Sequence, residues 1–282
     1  MKKNILALSL VAGLGFTGTL FAQTPKIDFP APSPACTLKQ RVGVTDIEIV
    51  YSRPSTKGRQ IFGSVVPYGA VWRTGANNST KLTFSTAVKI NGHGLDAGSY
   101  SLFTIPGENE WTIIINKTTG QSGTQYDEKN DVVRFKVAPD QFPASIETFT
   151  IEFGDLRDES AALNLLWDKT IVQLKVEVDL ATKLIPQIEA AMSAEGGQKP
   201  YYQAAMFYYD HGQDLSKAKE WVDAAIKQRE AHYIVHLKAK ILAKLGDKAG
   251  AITAAKHSSE LAITAKDTGY VKMNDDLISS LK

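Results

Sequence analysis

The chain has 282 residues, 43% of them hydrophobic and 22% charged, with 32 Lys and Arg against 30 Asp and Glu. A formal net charge of +2 gives no global attraction to nucleic acid or to an anionic membrane, and the composition is that of a globular protein rather than a disordered one. Cys36 is the only cysteine, which excludes an intrachain disulfide.

The first residues read as an export signal. Lys2 and Lys3 precede a 12-residue apolar run, Ile5–Phe16, and small residues lead to Leu20-Phe21-Ala22, the order of a basic n-region, an h-region and a cleavage site. The run is too short to cross about 30 Å of hydrocarbon, so residues 1–22 are expected to be a cleaved signal peptide. The mature chain then carries no membrane span and is expected to be periplasmic or extracellular. Cleavage removes Lys2 and Lys3 and brings the formal net charge from +2 to 0. A Pro-rich leader follows over residues 23–36, with Cys36 read as an incidental thiol.

Residues 37–179 carry the signals of an all-β domain. Ile47, Ile49 and Tyr51 alternate with polar neighbours, as do Leu82 and Phe84. Val88–Ile90 runs into the turn Asn91–Gly94, and Ser99–Ile105 and Trp111–Asn116 flank the turn Pro106–Glu110. Val132–Val137, Ile146–Phe153, Ala162–Trp167 and Ile171–Val178 follow, the last two read as a hairpin about Asp168-Lys169. Nine or ten short strands with regular turns predict a β-sandwich.

From Leu180 the hydrophobic period changes from 2 to 3.6. Leu180–Ala194 reads as a helix containing Pro186, and Glu195–Pro200 as a loop. Four apolar stripes follow: Tyr202/Ala205/Met206/Tyr209, Leu215/Ala218/Val222/Ala225, Ile234/Leu237/Ile241 and Ile252/Ala255/Ala262. Ala218 and Ala251 lie 33 residues apart, close to a 34-residue repeat. The segments DHGQDLSKAKEWVDAAI and KLGDKAGAITAAKHS resemble degenerate tetratricopeptide repeats. Residues 180–282 are therefore expected to be an all-α tetratricopeptide-like module offering a face to a protein partner.

Within the β domain, residues 51–78 fit neither strand nor helix, and ordered loops of that length are usually functional. Between Glu48 and Asp96 the chain has no acid but carries Arg53, Lys57, Arg59, Arg73, Lys81 and Lys89. Arginine forks suit carboxylate, phosphate or sulfate oxygens, and nearby aromatic faces suit sugar rings. Arg53, Lys57, Arg59, Tyr68, Trp72, Arg73 and Asn77 are thus the candidate residues for a small anionic or carbohydrate ligand. The competing reading is an internal clamp, in which the acidic run Glu152, Asp155, Asp158, Glu159 neutralises the loop.

Catalytic signals are sparse. Ser55 and Ser64 lack a nucleophile-elbow pattern, and His232 and His236, one helical turn apart, have neither a following Glu nor a third ligand. No catalytic residue, metal site or cofactor is assigned. The leading expectation is a non-catalytic binding protein; the alternative is a secreted hydrolase of carbohydrate or peptide with its catalytic groups in the same loop.

The segments SRPSTKGRQIFGSVVPYGAVWRTGANNSTKLTF, LDAGSYSLFTIPGENEWTIIINK and LNLLWDKTIVQLKVEVD together resemble a family of secreted bacterial proteins catalogued as domain of unknown function 2911. The resemblance covers about residues 35–179, with Val66–Asn77 its most distinctive core, and Asp96 departs from the proline expected there. It implies a β-rich exported domain and directs attention to Arg53, Lys57, Arg59, Trp72, Arg73 and Asn77, without a reaction or a ligand.

Overall fold

The structure, a computed structural model, describes residues 28–282. The predicted signal peptide and most of the leader lie outside them. Ten strands precede six α-helices among the described residues, which is the β-sandwich and helical module expected.

One sheet has six strands: β1 (Ala35–Val42), β2 (Thr45–Ser52), β3 (Thr80–Phe84), β6 (Gly98–Ile105), β7 (Trp111–Asn116) and β8 (Asp131–Val137), antiparallel neighbours in that order. The second has four: β5 (His93–Leu95), β4 (Val88–Ile90), β10 (Ser160–Glu177) and β9 (Asp140–Gly154), in that order. Period-2 alternation turns Ile47, Ile49, Tyr51 and Leu82 of the first sheet toward Phe149, Ile151, Leu163, Leu165, Leu174 and Val176 of the second, and all are buried in one core.

Two sequence expectations need correction. Asp168-Lys169 is not a hairpin: β10 runs through it as one strand, paired with β9 from Ala162↔Gly154 to Ile171↔Asp140. Asp168 has φ +49°, and the register shifts on either side of it, so the turn-like dipeptide makes a β-bulge inside the ladder. The leader also ends earlier than predicted, because Cys36 lies in β1 opposite Tyr51. Backbone pairing with β2 decides this, despite the prolines just before it.

The helices are α1 (Leu180–Ser193), α2 (Tyr201–Asp210), α3 (Leu215–Gln228), α4 (His232–Lys244), α5 (Lys248–Ala265) and α6 (Thr268–Leu281). Asp179, Asp214, Asp247 and Asp267 each accept hydrogen bonds from the first-turn backbone N–H groups of α1, α3, α5 and α6, which is why those helices start where they do. Ala218 and Ala251, the pair that suggested a repeat, are both fully buried. Met206, placed on an apolar stripe by its spacing, is instead 38% exposed, and α6 lies beyond the four stripes. The two regions touch: Leu180 is buried in the sandwich core, with Leu184 and Phe207 packed against it. No helix among the described residues is long and apolar enough to cross a membrane.

Candidate functional site

The 51–78 segment closes one end of the sandwich by stitching its two sheets together. Residues 53–56 extend along the free edge of β9, where Phe149 N–H donates to the Pro54 carbonyl and Thr56 N–H to that of Glu147. Further on, Trp72 exchanges both backbone hydrogen bonds with Thr104 of β6, at 2.7 and 2.9 Å. Between these anchors the loop drives two aromatic rings into the core. Trp72 stacks on Trp167 (5.7 Å between centroids, 19° between planes) and meets Phe149 and Trp111 edge-on; Phe62 meets Trp111 at 4.9 Å.

This burial corrects the reading of Trp72 as a ligand-facing ring. It is 9% exposed, and its indole N–H donates to the Gly75 carbonyl at 3.0 Å. The other candidates divide into three groups of contacts. Arg53, Lys57 and Arg59 lie along the β9 edge. Arg53 donates from Nε to the Phe149 carbonyl (3.0 Å) and from Nη2 to Thr150 Oγ1 (2.7 Å); Arg59 donates to the carbonyls of Thr56 and Ser55. Both forks are therefore largely committed to the chain's own oxygens. Tyr68, 42% exposed, covers Gly63 and lines a recess of about 80 Å³ with Phe62, Trp111, Glu108 and Gln141. Arg73 and Asn77 form the third group, against the turn at Gln121–Gly123.

The clamp reading is also corrected. No carboxylate of the run Glu152–Glu159 pairs with the loop among the described residues: Asp155 pairs with Arg157, and Glu159 accepts the Leu180 N–H. The acid that meets the loop is Glu147. It accepts from the Thr56 hydroxyl and from the Lys57 N–H, at 2.9 Å for the latter. Those hydrogen bonds, the hydroxyl first, hold its carboxyl below its ordinary pKa, with smaller help from the charges of Arg59 and Lys57. Glu147 lies 91 residues from Thr56, and nothing in its neighbourhood along the chain marks it.

Of the loop's three guanidinium groups, Arg73 makes the fewest hydrogen bonds to the chain. Its backbone is fixed on both sides, by buried Trp72 and by Thr74, fully buried with φ +52°. A β-branched residue in that left-handed region is strained, and hydrogen bonds hold it there: Thr74 Oγ1 donates to Thr104 Oγ1 at 3.2 Å, and the Thr74 carbonyl accepts from the Thr80 hydroxyl. The Arg73 side chain lies against Gly123, where a Cβ would sit 3.6–3.8 Å from its Nη1, Cζ and Cδ atoms. Its Nη1 donates to the Asn77 carbonyl at 3.1 Å. Nε and Nη2 have no acceptor, and no carboxylate pairs with the group, among the described residues. Asn77, itself at φ +58°, donates to Ser52 Oγ and to the Ser33 carbonyl. What the arrangement offers is an ordered, half-exposed cation with the Nε/Nη2 edge of its fork open, the edge that binds two oxygens of one anion.

The serines considered as nucleophiles have no base. Ser55 Oγ pairs with Thr148 Oγ1 at 3.0 Å, and Ser64 sits in an exposed turn. Among the described residues neither hydroxyl is hydrogen-bonded to a histidine or carboxylate. His232 and His236 do not share a ligand position: the first faces Asp267, at 3.3 Å, and the second pairs with Asn274.

Comparison with known families matches residues 33–176 to the family described as "Protein of unknown function (DUF2911)". No curated protein and no solved structure matches.

Proposed function

We propose that this chain, which belongs to the DUF2911 family of proteins of unknown function over just more than half its length, is an exported, non-catalytic binding protein. Its β domain takes a small anionic or acid-sugar ligand at the open fork of Arg73, beside Asn77. Its helical module, read as degenerate tetratricopeptide repeats, engages a protein partner. The observation that carries the reading is the state of Arg73, a guanidinium held from both sides by buried backbone yet without a carboxylate partner among the described residues. Strained backbone of this kind clusters at ligand sites, and a cation already held in place lowers the ordering cost of binding.

Thermal melts of the wild type and of Arg73→Ala, with and without sulfate, phosphate and glucuronate, test it. An effective ligand raises wild-type stability by about 2.7 kcal/mol at a hundredfold excess over its Kd. Arg73→Ala loses that response while the ligand-free protein changes by no more than about 0.5 kcal/mol, as expected of a side chain outside any core or buried ion pair. A wild type that responds to none of the three anions, or a large ligand-free loss in the variant, ends the binding reading.

Export rests on Lys2, Lys3 and the run Ile5–Phe16. Protein isolated from its native host is expected to begin at or near Gln23. An intact mass that retains Ile5–Phe16 overturns it.

A further inference from the structure

The helical module carries a polar-tipped aromatic surface that the basic loop does not explain. α2, α4 and α6 lie side by side and run the same way. Tyr202 near the start of α2 meets Tyr233 near the start of α4, with ring centroids 5.1 Å apart. Tyr270 near the start of α6 meets His232 and His236 of α4, at 4.8 and 5.4 Å. Tyr202, Tyr233 and Tyr270 thus form a row across three helices. The hydroxyls of Tyr51, Tyr100, Tyr126 and Tyr208 all have hydrogen-bond partners. Those of the row have none among the described residues, and none of the three is a buried orphan, so their tips face solvent.

Farther along the same face, two ammonium groups converge. Lys240 Nζ and Lys244 Nζ, one helical turn apart on α4, each lie 4.5 Å from the centre of the Tyr209 ring. Two like charges at i and i+4 repel. Lys244 also donates to the Tyr209 carbonyl at 3.2 Å, but neither lysine has an ion-pair partner among the described residues. Asp210, next to Tyr209 in the chain, pairs with neither lysine among the described residues. Beneath the face the packing is rigid. Buried Asn274 accepts from His236 Nδ1 at 2.7 Å and donates to Ser258 Oγ at 2.9 Å, and Ser258 Oγ donates to the His232 carbonyl at 2.8 Å.

We infer that this face binds an acidic peptide segment, one carboxylate set between Lys240 and Lys244 over Tyr209 and further acceptors along the hydroxyls of Tyr202, Tyr233 and Tyr270. The match is chemical. Ammonium groups are donors only, the phenols can donate, and a carboxylate is an acceptor with oxygens enough for both lysines. An anion there also relieves the repulsion between the two ammonium groups. The inference rests on reading the helical region as a partner-binding module, and it is independent of the anion site at Arg73.

The probe is a fluorescein-labelled octapeptide of alternating Glu and Leu, with Gln replacing Glu in its control, titrated by anisotropy against the full mature chain. Saturable binding is expected for the Glu peptide and binding at least about tenfold weaker for the control, because Gln removes the charge complementarity with Lys240 and Lys244. The double variant Lys240→Gln/Lys244→Gln is expected to weaken the Glu peptide at least about tenfold, while Lys240→Arg/Lys244→Arg retains it. Arg73→Ala leaves peptide binding unchanged, which separates this surface from the loop site. Far-UV circular dichroism checks that each variant is folded. Absence of saturable binding, equal affinity for the two peptides, binding indifferent to Lys→Gln, or binding lost in Arg73→Ala each overturn the inference.

Discussion

Trp72→Ala is expected to destabilise the β domain by about 3–5 kcal/mol, the usual cost of emptying a buried aromatic position. The ring is 9% exposed and touches four other large aromatics, stacked on Trp167 and edge-on to Phe62, Phe149 and Trp111. Truncation removes the transfer energy of the indole and leaves a cavity bounded by rings that cannot collapse into it. It also frees the Gly75 carbonyl and loosens the strand-like pairing of Trp72 with Thr104. Urea unfolding of the β-domain transition measures the loss. Tyr68→Ala, which alters a 42% exposed side chain of the same loop, serves as the contrast and is expected to shift stability by no more than about 0.5 kcal/mol. A Trp72→Ala loss no larger than that of Tyr68→Ala would mean that the loop does not plug the sandwich.

The second large effect belongs to the helical module. Asn274 is completely buried and joins three elements, with α4 on one side through His236, α5 on the other through Ser258, and its own backbone in α6. Asn274→Ala leaves the His236 Nδ1–H without its acceptor and the Ser258 hydroxyl without a donor, at about 1–3 kcal/mol for a buried polar group left unpaired. The pH dependence supplies an independent signature. Burial, the largest influence, pushes the His236 ring below its ordinary pKa, opposed by the Asn274 hydrogen bond. The unfolded chain therefore takes up a proton more readily than the folded one. Stability from this residue is present above the unfolded value near 6.5 and falls as the pH drops through and below it. His236→Gln is expected to flatten that acid-side loss in melts recorded from pH 7.5 down to pH 5, about the span over which a histidine titrates. An Asn274→Ala protein as stable as the wild type, or an acid-side slope unchanged in His236→Gln, would remove the network from the account of this fold.

Much of the architecture was legible because it depends on local periodicity. Alternation at Ile47, Ile49 and Tyr51, and its replacement after Asp179 by helical spacing, places the sandwich and the helices without any knowledge of contacts. The basic span was legible as well, since a count of charge needs no structure. Local signals misled where pairing partners override them: Asp168-Lys169 has turn chemistry, but β9 holds β10 continuous through it.

Sequence alone therefore determined the compartmental expectation, the family, the two secondary-structure regimes and the excess of cations over residues 49–95. Tertiary structure decided what those cations and aromatics do. Whether Trp72 faces a ligand or the core, whether Glu147 or the run Glu152–Glu159 meets the loop, and which of the loop's arginines keeps its fork open all depend on pairing between distant segments, 91 to 97 residues apart along the β9 edge. The row Tyr202, Tyr233, Tyr270 is likewise assembled from three helices. Periodicity fixes which face of its own element a residue occupies, but only packing fixes what stands opposite that face.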